Sequence, residues 1–88
     1  NKVYGLKLVG ATTFVPPVCA GGGAMTASAR HRQIKVLFRQ DAPVSIDWGT
    51  THFVNGEAPD VSTAGDYEAI YTEFAGAYWT VGVMKAGA

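Results

Sequence analysis

Apolar and polar residues alternate with a period of two along several short stretches of this chain, and turn residues separate the stretches. Over residues 33–39, Ile34, Val36 and Phe38 alternate with Lys35, Leu37 and Arg39, which predicts a strand with one apolar face and one mixed face. Val44, Ile46 and Trp48 alternate with Ser45 and Asp47 in the same manner. Asp41, Ala42 and Pro43 make the turn between these two strands, Pro43 lacking the amide proton that a central ladder needs. Residues 68–74 and 78–84 flank Ala75, Gly76 and Ala77, a spacing that predicts a hairpin with Gly76 in the left-handed conformation. In that hairpin Ile70 and Phe74 are expected to face the core opposite Trp79, Val81 and Val83. Tyr71, Glu73, Tyr78 and Thr80 then form the outward row. Residues 3–9 and 12–15 read as two further strands, ended by Pro16 and Pro17.

Helical periodicity is weak throughout, while Gly and Pro recur between β-branched and aromatic residues, an all-β rhythm. Residues 20–29 are a run of small side chains in which a short helix over 24–29 would lack an apolar face, and residues 50–65 are rich in turn formers. There is no internal repeat. The expected fold is all-β, a small antiparallel β-sandwich or barrel of six to seven short strands, because such strands must bury one face against another sheet. With 88 residues the chain makes one domain, residues 1–88. It begins with Asn1 rather than Met and is expected to be part of a longer polypeptide.

Composition agrees with a folded domain: 48% of residues are hydrophobic, more than a disordered segment carries. The formal charge of zero conceals a division. Lys2, Lys7, Arg30, Arg32, Lys35 and Arg39 precede every acid. Asp41, Asp47, Glu57, Asp60, Asp66, Glu68 and Glu73 follow, against Lys85 alone, so the two parts carry +6 and −6. Dispersed bases balanced by as many acids are not a nucleic-acid footprint, and no nucleic-acid partner is expected. Strands of opposite charge can pair within one chain and set its register. In a ring of identical subunits the basic flank of one copy can instead meet the acidic flank of the next, an association that salt would weaken.

Candidate chemistry is sparse. A single cysteine, Cys19, forms no internal disulfide and has no histidine or basic neighbour to activate it, so it reads as a small buried hydrophobe. His31 and His52 lie far apart in sequence with no Cys-x-x-Cys and no acidic loop, so no metal and no cofactor is expected. His31, between Arg30 and Arg32, reads as a solvated basic tip, with both arginines as candidate partner contacts. His52 stands equally as a structural or a recognition residue. Gly21, Gly22 and Gly23 are not followed by the Lys-Ser or Lys-Thr of a phosphate loop and read as a connection. With no nucleophile motif, enzymatic activity is not expected. No stretch approaches the roughly 20 apolar residues that span a bilayer, so no membrane insertion is expected. Tyr67, Tyr71 and Tyr78 remain as aromatic candidates for sugar or protein contact, or else for packing within the domain.

The second half also has a recognisable order: Gln40-Asp41, Trp48, Gly56 with Ala58-Pro59, Ser62-Thr63-Ala64-Gly65, Ile70, Phe74, Gly76, and Trp79-Thr80-Val81-Gly82. Over residues 33–82 it resembles the small C-terminal β domain of bacteriophage tail-fibre and tail-tip proteins. The first thirty or so residues fit that pattern only as entry strands. The iron-holding His-x-His of some fibres is absent, since Arg30-His31-Arg32 supplies one histidine. The resemblance implies a virion structural or host-recognition module, made in the bacterial cytoplasm and working in the phage tail. The expected form is a homotrimer, bound to other virion proteins and to a host surface glycan or protein. Two alternatives stand beside it. One is a capsid decoration protein using residues 1–10 as an arm; the other is a carbohydrate-binding module with Tyr71, Tyr78 and Trp48 as stacking platforms.

Overall fold

The computed structural model describes residues 2–17, 32–49, 51–74 and 77–86. In chain order its strands are β1 (Lys2–Leu8), β2 (Thr12–Thr13), β3 (Gln33–Gln40), β4 (Ile46–Asp47), β5 (His52–Phe53), β6 (Gly65–Phe74) and β7 (Tyr78–Ala86). A single 3-10 turn, Val54–Gly56, follows β5, and no α-helix is present among the described residues. The chain is all-β. Five strands form one sheet in the order β1-β3-β6-β7-β5, and β2 and β4 form a separate pair.

The ladders are mixed rather than antiparallel. β3 with β6 and β6 with β7 are antiparallel, but β1 runs parallel to β3, β2 to β4 and β5 to β7. Consecutive strands joined by tight turns were the basis for expecting an antiparallel fold, and only β6 and β7 are joined that way. β1 instead reaches β3 after a long excursion that contains β2, which is the kind of connection a parallel pair requires. The strand expected over Val44–Trp48 shrinks to β4, yet its inward set holds: Trp48 is buried and Val44 and Ile46 are half-buried. Gly56 and Gly65 both take positive φ, at 74° and 148°, as their place in turns predicts. Gly76, the glycines at 21–23 and the small-residue run at 20–29 lie outside the described residues.

The core lies on one face of the five-stranded sheet. Val36 and Phe38 of β3, Tyr67, Ala69 and Tyr71 of β6, and Trp79 and Val81 of β7 are buried there, joined by Leu8 and Trp48. Phe14, Val44, Ile46 and Val61, which flank the two-stranded pair and the later loop, pack over them. Phe14 bridges the layers, its ring 5.9 Å from Phe38 and 5.4 Å from Trp48.

The face of β6 is opposite to the expected one. Ile70 is half-buried and Phe74 exposed, while Tyr71 and Glu73, expected outward, are buried. The register explains the inversion: Phe38 lies opposite Tyr67, Val36 opposite Ala69, Ile34 opposite Tyr71 and Trp79 opposite Glu73. A shift of one residue exchanges every side chain between faces. Apolar residues occupy both alternate sets of this strand, so its alternation does not choose a face, and only the charge of Glu73 stands against the observed one. That charge is met inside: Arg32 grips the Glu73 carboxylate with two hydrogen bonds, Nε to Oε1 at 2.9 Å and Nη2 to Oε2 at 2.6 Å.

The division of charge along the sequence resolves within the chain. Lys7 pairs with Asp41, Arg32 with Glu73, Lys35 with Glu68 and Arg39 with Asp66, each base from the first part and each acid from the second. Two of these pairs lie across the β3–β6 ladder on the face away from the core, where exposed ion pairs give register more than stability, about 0–1 kcal/mol each.

Candidate functional site

Three groupings of side chains carry whatever chemistry the described surface offers. The first is at the hairpin end of the sheet. Phe74 closes β6 and Tyr78 opens β7 directly opposite it, so both rings stand on the outer face. They stack at 5.2 Å with an 11° angle between planes. β7 lies between β6 and β5, and from the β5 side His52 meets the same Tyr78 ring at 4.4 Å. Tyr78 therefore has a ring on each flank, and both flanking residues are exposed, Phe74 to 45%. Thr72 and Thr80, opposite one another in the next row, border it with hydroxyls.

The second grouping is a cleft of about 270 Å³ between the β1 edge and the segment Phe14 to Pro17. Tyr4, Leu6, Ile34 and Val36 form its floor and Val15, Pro16 and Pro17 its wall. Tyr71 closes one end; its hydroxyl is buried with no hydrogen-bond partner among the described residues, and burial pushes its ionisation well above that of a free phenol.

The third is a linkage beneath that wall. Arg32, gripping Glu73, also lies over the Trp79 ring at 5.2 Å, and the Trp79 indole donates from Nε1 to the carbonyl of Pro17 at 2.6 Å. This network ties the Phe14–Pro17 segment to the sheet through the buried Glu73 and Trp79 and the half-exposed Arg32. It leaves Arg32 engaged internally.

No protein-family model, curated protein or solved structure matches this chain.

The candidates named from sequence separate cleanly. Tyr67 is buried, stacked on Phe38 at 5.2 Å, with its hydroxyl donating to the Thr63 carbonyl at 2.6 Å, so it packs and does not present a ring to solvent. Tyr71 is buried likewise, and so is Trp48, which removes two of the three proposed sugar platforms. Both tyrosines fell in the inward set of β6 once the face inverted. Tyr78 and His52 come together as described, and Arg32 serves the Glu73 linkage. Arg30, together with His31 and Cys19, lies outside the described residues.

Two features escaped sequence reasoning. Phe74 was assigned to the core, and only the β6 register exposes it. Val3, Tyr4 and Leu6 of β1 were read as an ordinary strand, but they are 66%, 47% and 45% exposed. Tyr4 and Leu6 share the inward set with Leu8, so alternation alone gave no signal of their exposure. Among the described residues there is no cluster of His, Cys, Asp and Glu able to hold a metal ion, and no helix long and apolar enough to cross a membrane.

Proposed function

We propose that this chain is a non-enzymatic structural module of a bacteriophage virion, a tail-fibre, spike or tail-tip domain that works as an assembly of identical copies and adheres to the host surface. The residue order of the second half supports the virion setting, and the form that order implies is a homotrimer. The two-stranded pair and its flanking loops, stacked on the five-stranded sheet through Phe14 and Trp48, fit the smaller layer of a sandwich.

The observation that carries the reading is β1. Six of its seven residues are exposed although the strand is fully paired to β3 on one side. Its Val, Tyr and Leu side chains leave apolar area that a partner chain would cover. Light scattering on the eluting chain at about 10–50 µM, the range in which modest protein interfaces associate, tests this. A mass above the monomer is expected. A monomer throughout would contradict the reading.

Adhesion is assigned to the Phe74 ring with its threonine border, a planar apolar surface beside hydroxyls that suits the face of a sugar. Phe74→Ala should abolish retention on host-cell glycans while leaving the melting temperature within a few degrees. Retained binding would move the adhesive surface elsewhere. The decoration-protein alternative is weakened, because residues 2–8 are a strand of the main sheet rather than a detached arm.

A further inference from the structure

The two edges of the five-stranded sheet are unlike. At one edge β5 is short, and the turn that follows it continues along β7, Val54 lying over Gly82. At the other edge β1 runs for 7 residues with one neighbour among the described residues, β3, so alternate N–H and C=O groups along its length point away from that ladder. Natural sheets blunt such an edge with charge, proline or a bulge. In β1 the two lysines stand near its ends, Lys2 and Lys7, and the stretch Val3-Tyr4-Gly5-Leu6 between them carries no charge.

From this geometry we infer that β1 is a self-docking edge: the β1 strands of two copies pair antiparallel about a two-fold axis through Gly5, joining their five-stranded sheets into one. Antiparallel pairing centred there sets Tyr4 against the partner's Leu6, Val3 against the partner's Lys7 and Lys2 against the partner's Leu8. Tyr4 and Leu6 already floor the apolar cleft beside Val15, so the cross-strand pairs on that face form an aromatic–aliphatic contact made twice.

Charge fits this register. No lysine faces a lysine. Lys2 faces the partner's Leu8, and Val3 faces the partner's Lys7, whose ammonium is held by Asp41 at 3.0 Å. The position a Cβ would take on Gly5 has nothing within 4 Å among the described residues, so a side chain placed there stands clear of its own sheet. An isologous contact of this kind closes at two copies and does not propagate, so through β1 the chain forms a dimer in place of the trimer that the residue order implies. It presupposes only that the module assembles from copies, and its register can be tested apart from that.

The test is Gly5→Cys in a Cys19→Ser background, oxidised and run on a non-reducing gel beside Lys7→Cys in the same background. Residues facing each other in an antiparallel pair lie about 4.5–5.5 Å apart at Cα, within the span of a disulfide, whereas Lys7 faces Val3 and is far from its own copy. Gly5→Cys should cross-link nearly completely at concentrations where the wild type is assembled, and Lys7→Cys should not. Tyr4→Lys should weaken association by about tenfold or more, and its melting curve when dilute reports whether it still folds. If the wild type assembles but folded Gly5→Cys does not cross-link, the β1 contact is wrong while the module reading stands. A wild type that is monomeric removes both.

Discussion

At the scale of single residues, the buried polar groups distinguish this domain from a plain apolar stack. Gln40 has no exposed surface. Its amide nitrogen donates to the carbonyls of Val61 and Thr63, each at 2.7 Å, and its oxygen accepts from the Val44 amide at 3.3 Å. One side chain thus holds two loops to the end of β3. Gln40→Leu keeps the volume and removes all three bonds, so chemical denaturation should show a loss of about 2–3 kcal/mol, since buried backbone groups are left unpaired. A loss below about 0.5 kcal/mol, the range of an ordinary surface change, would mean the loops are held by other means.

Two exposed carboxylates contribute to the acid limb. Hydrogen bonding to Arg39 holds the Asp66 carboxyl below its usual range, and the Ser62 hydroxyl does the same for Asp60. A carboxylate whose ionisation is depressed by folding contributes stability that is complete above its unfolded value, about 3.9, and is lost as pH falls through the folded value. Melting temperature should therefore stay level through neutral pH and drop below about pH 4, with Asp66→Asn making that drop shallower. A decline that begins near pH 6 would point to another group.

At the scale of elements, what sequence could reveal follows from how one-sided each pattern was. β3 was legible because Ile34, Val36 and Phe38 all take one face and Lys35 and Arg39 the other, and the β6–β7 hairpin because only a short link separates its strands. The face of β6 was not legible, because Tyr67, Ala69 and Tyr71 compete with Ile70 and Phe74, and Arg32, distant in sequence, neutralises the Glu73 that enters the core. Parallel pairings were not legible either: they join strands far apart along the chain, and nothing local encodes the partner. Tyr67 and Tyr71 are buried for the first of these reasons, since they sit on the inverted strand.

The same reasoning gives β1 a structural duty. Its parallel ladder covers β3 from Ile34 to Gln40, and Leu8 is part of the core. Removal of residues 1–10 should therefore yield a chain lacking a cooperative melting transition. A truncated form that melts cooperatively near the parent temperature would restore the picture of a detachable arm.

At the scale of the whole molecule, the charge division that suggests subunits meeting flank to flank is instead largely satisfied inside one chain, by four pairs between its two parts. What remains for association is apolar surface and an open strand edge, so salt should change assembly only slightly. The described residues then divide their labour: one face of the sheet is buried beneath Phe14 and Trp48, the other carries the ion-pair ladder and the Phe74 ring, and the β1 edge is open to a second copy.

Amide hydrogen exchange along β1, followed across a dilution series, reads that edge directly. Alternate amides that bond β3 should be protected at every concentration. The intervening amides, which point outward, should exchange freely when dilute and become protected together as the protein is concentrated into its assembled form. Outward amides that exchange at the same fast rate in the assembled protein would show that β1 is not where copies of this chain meet.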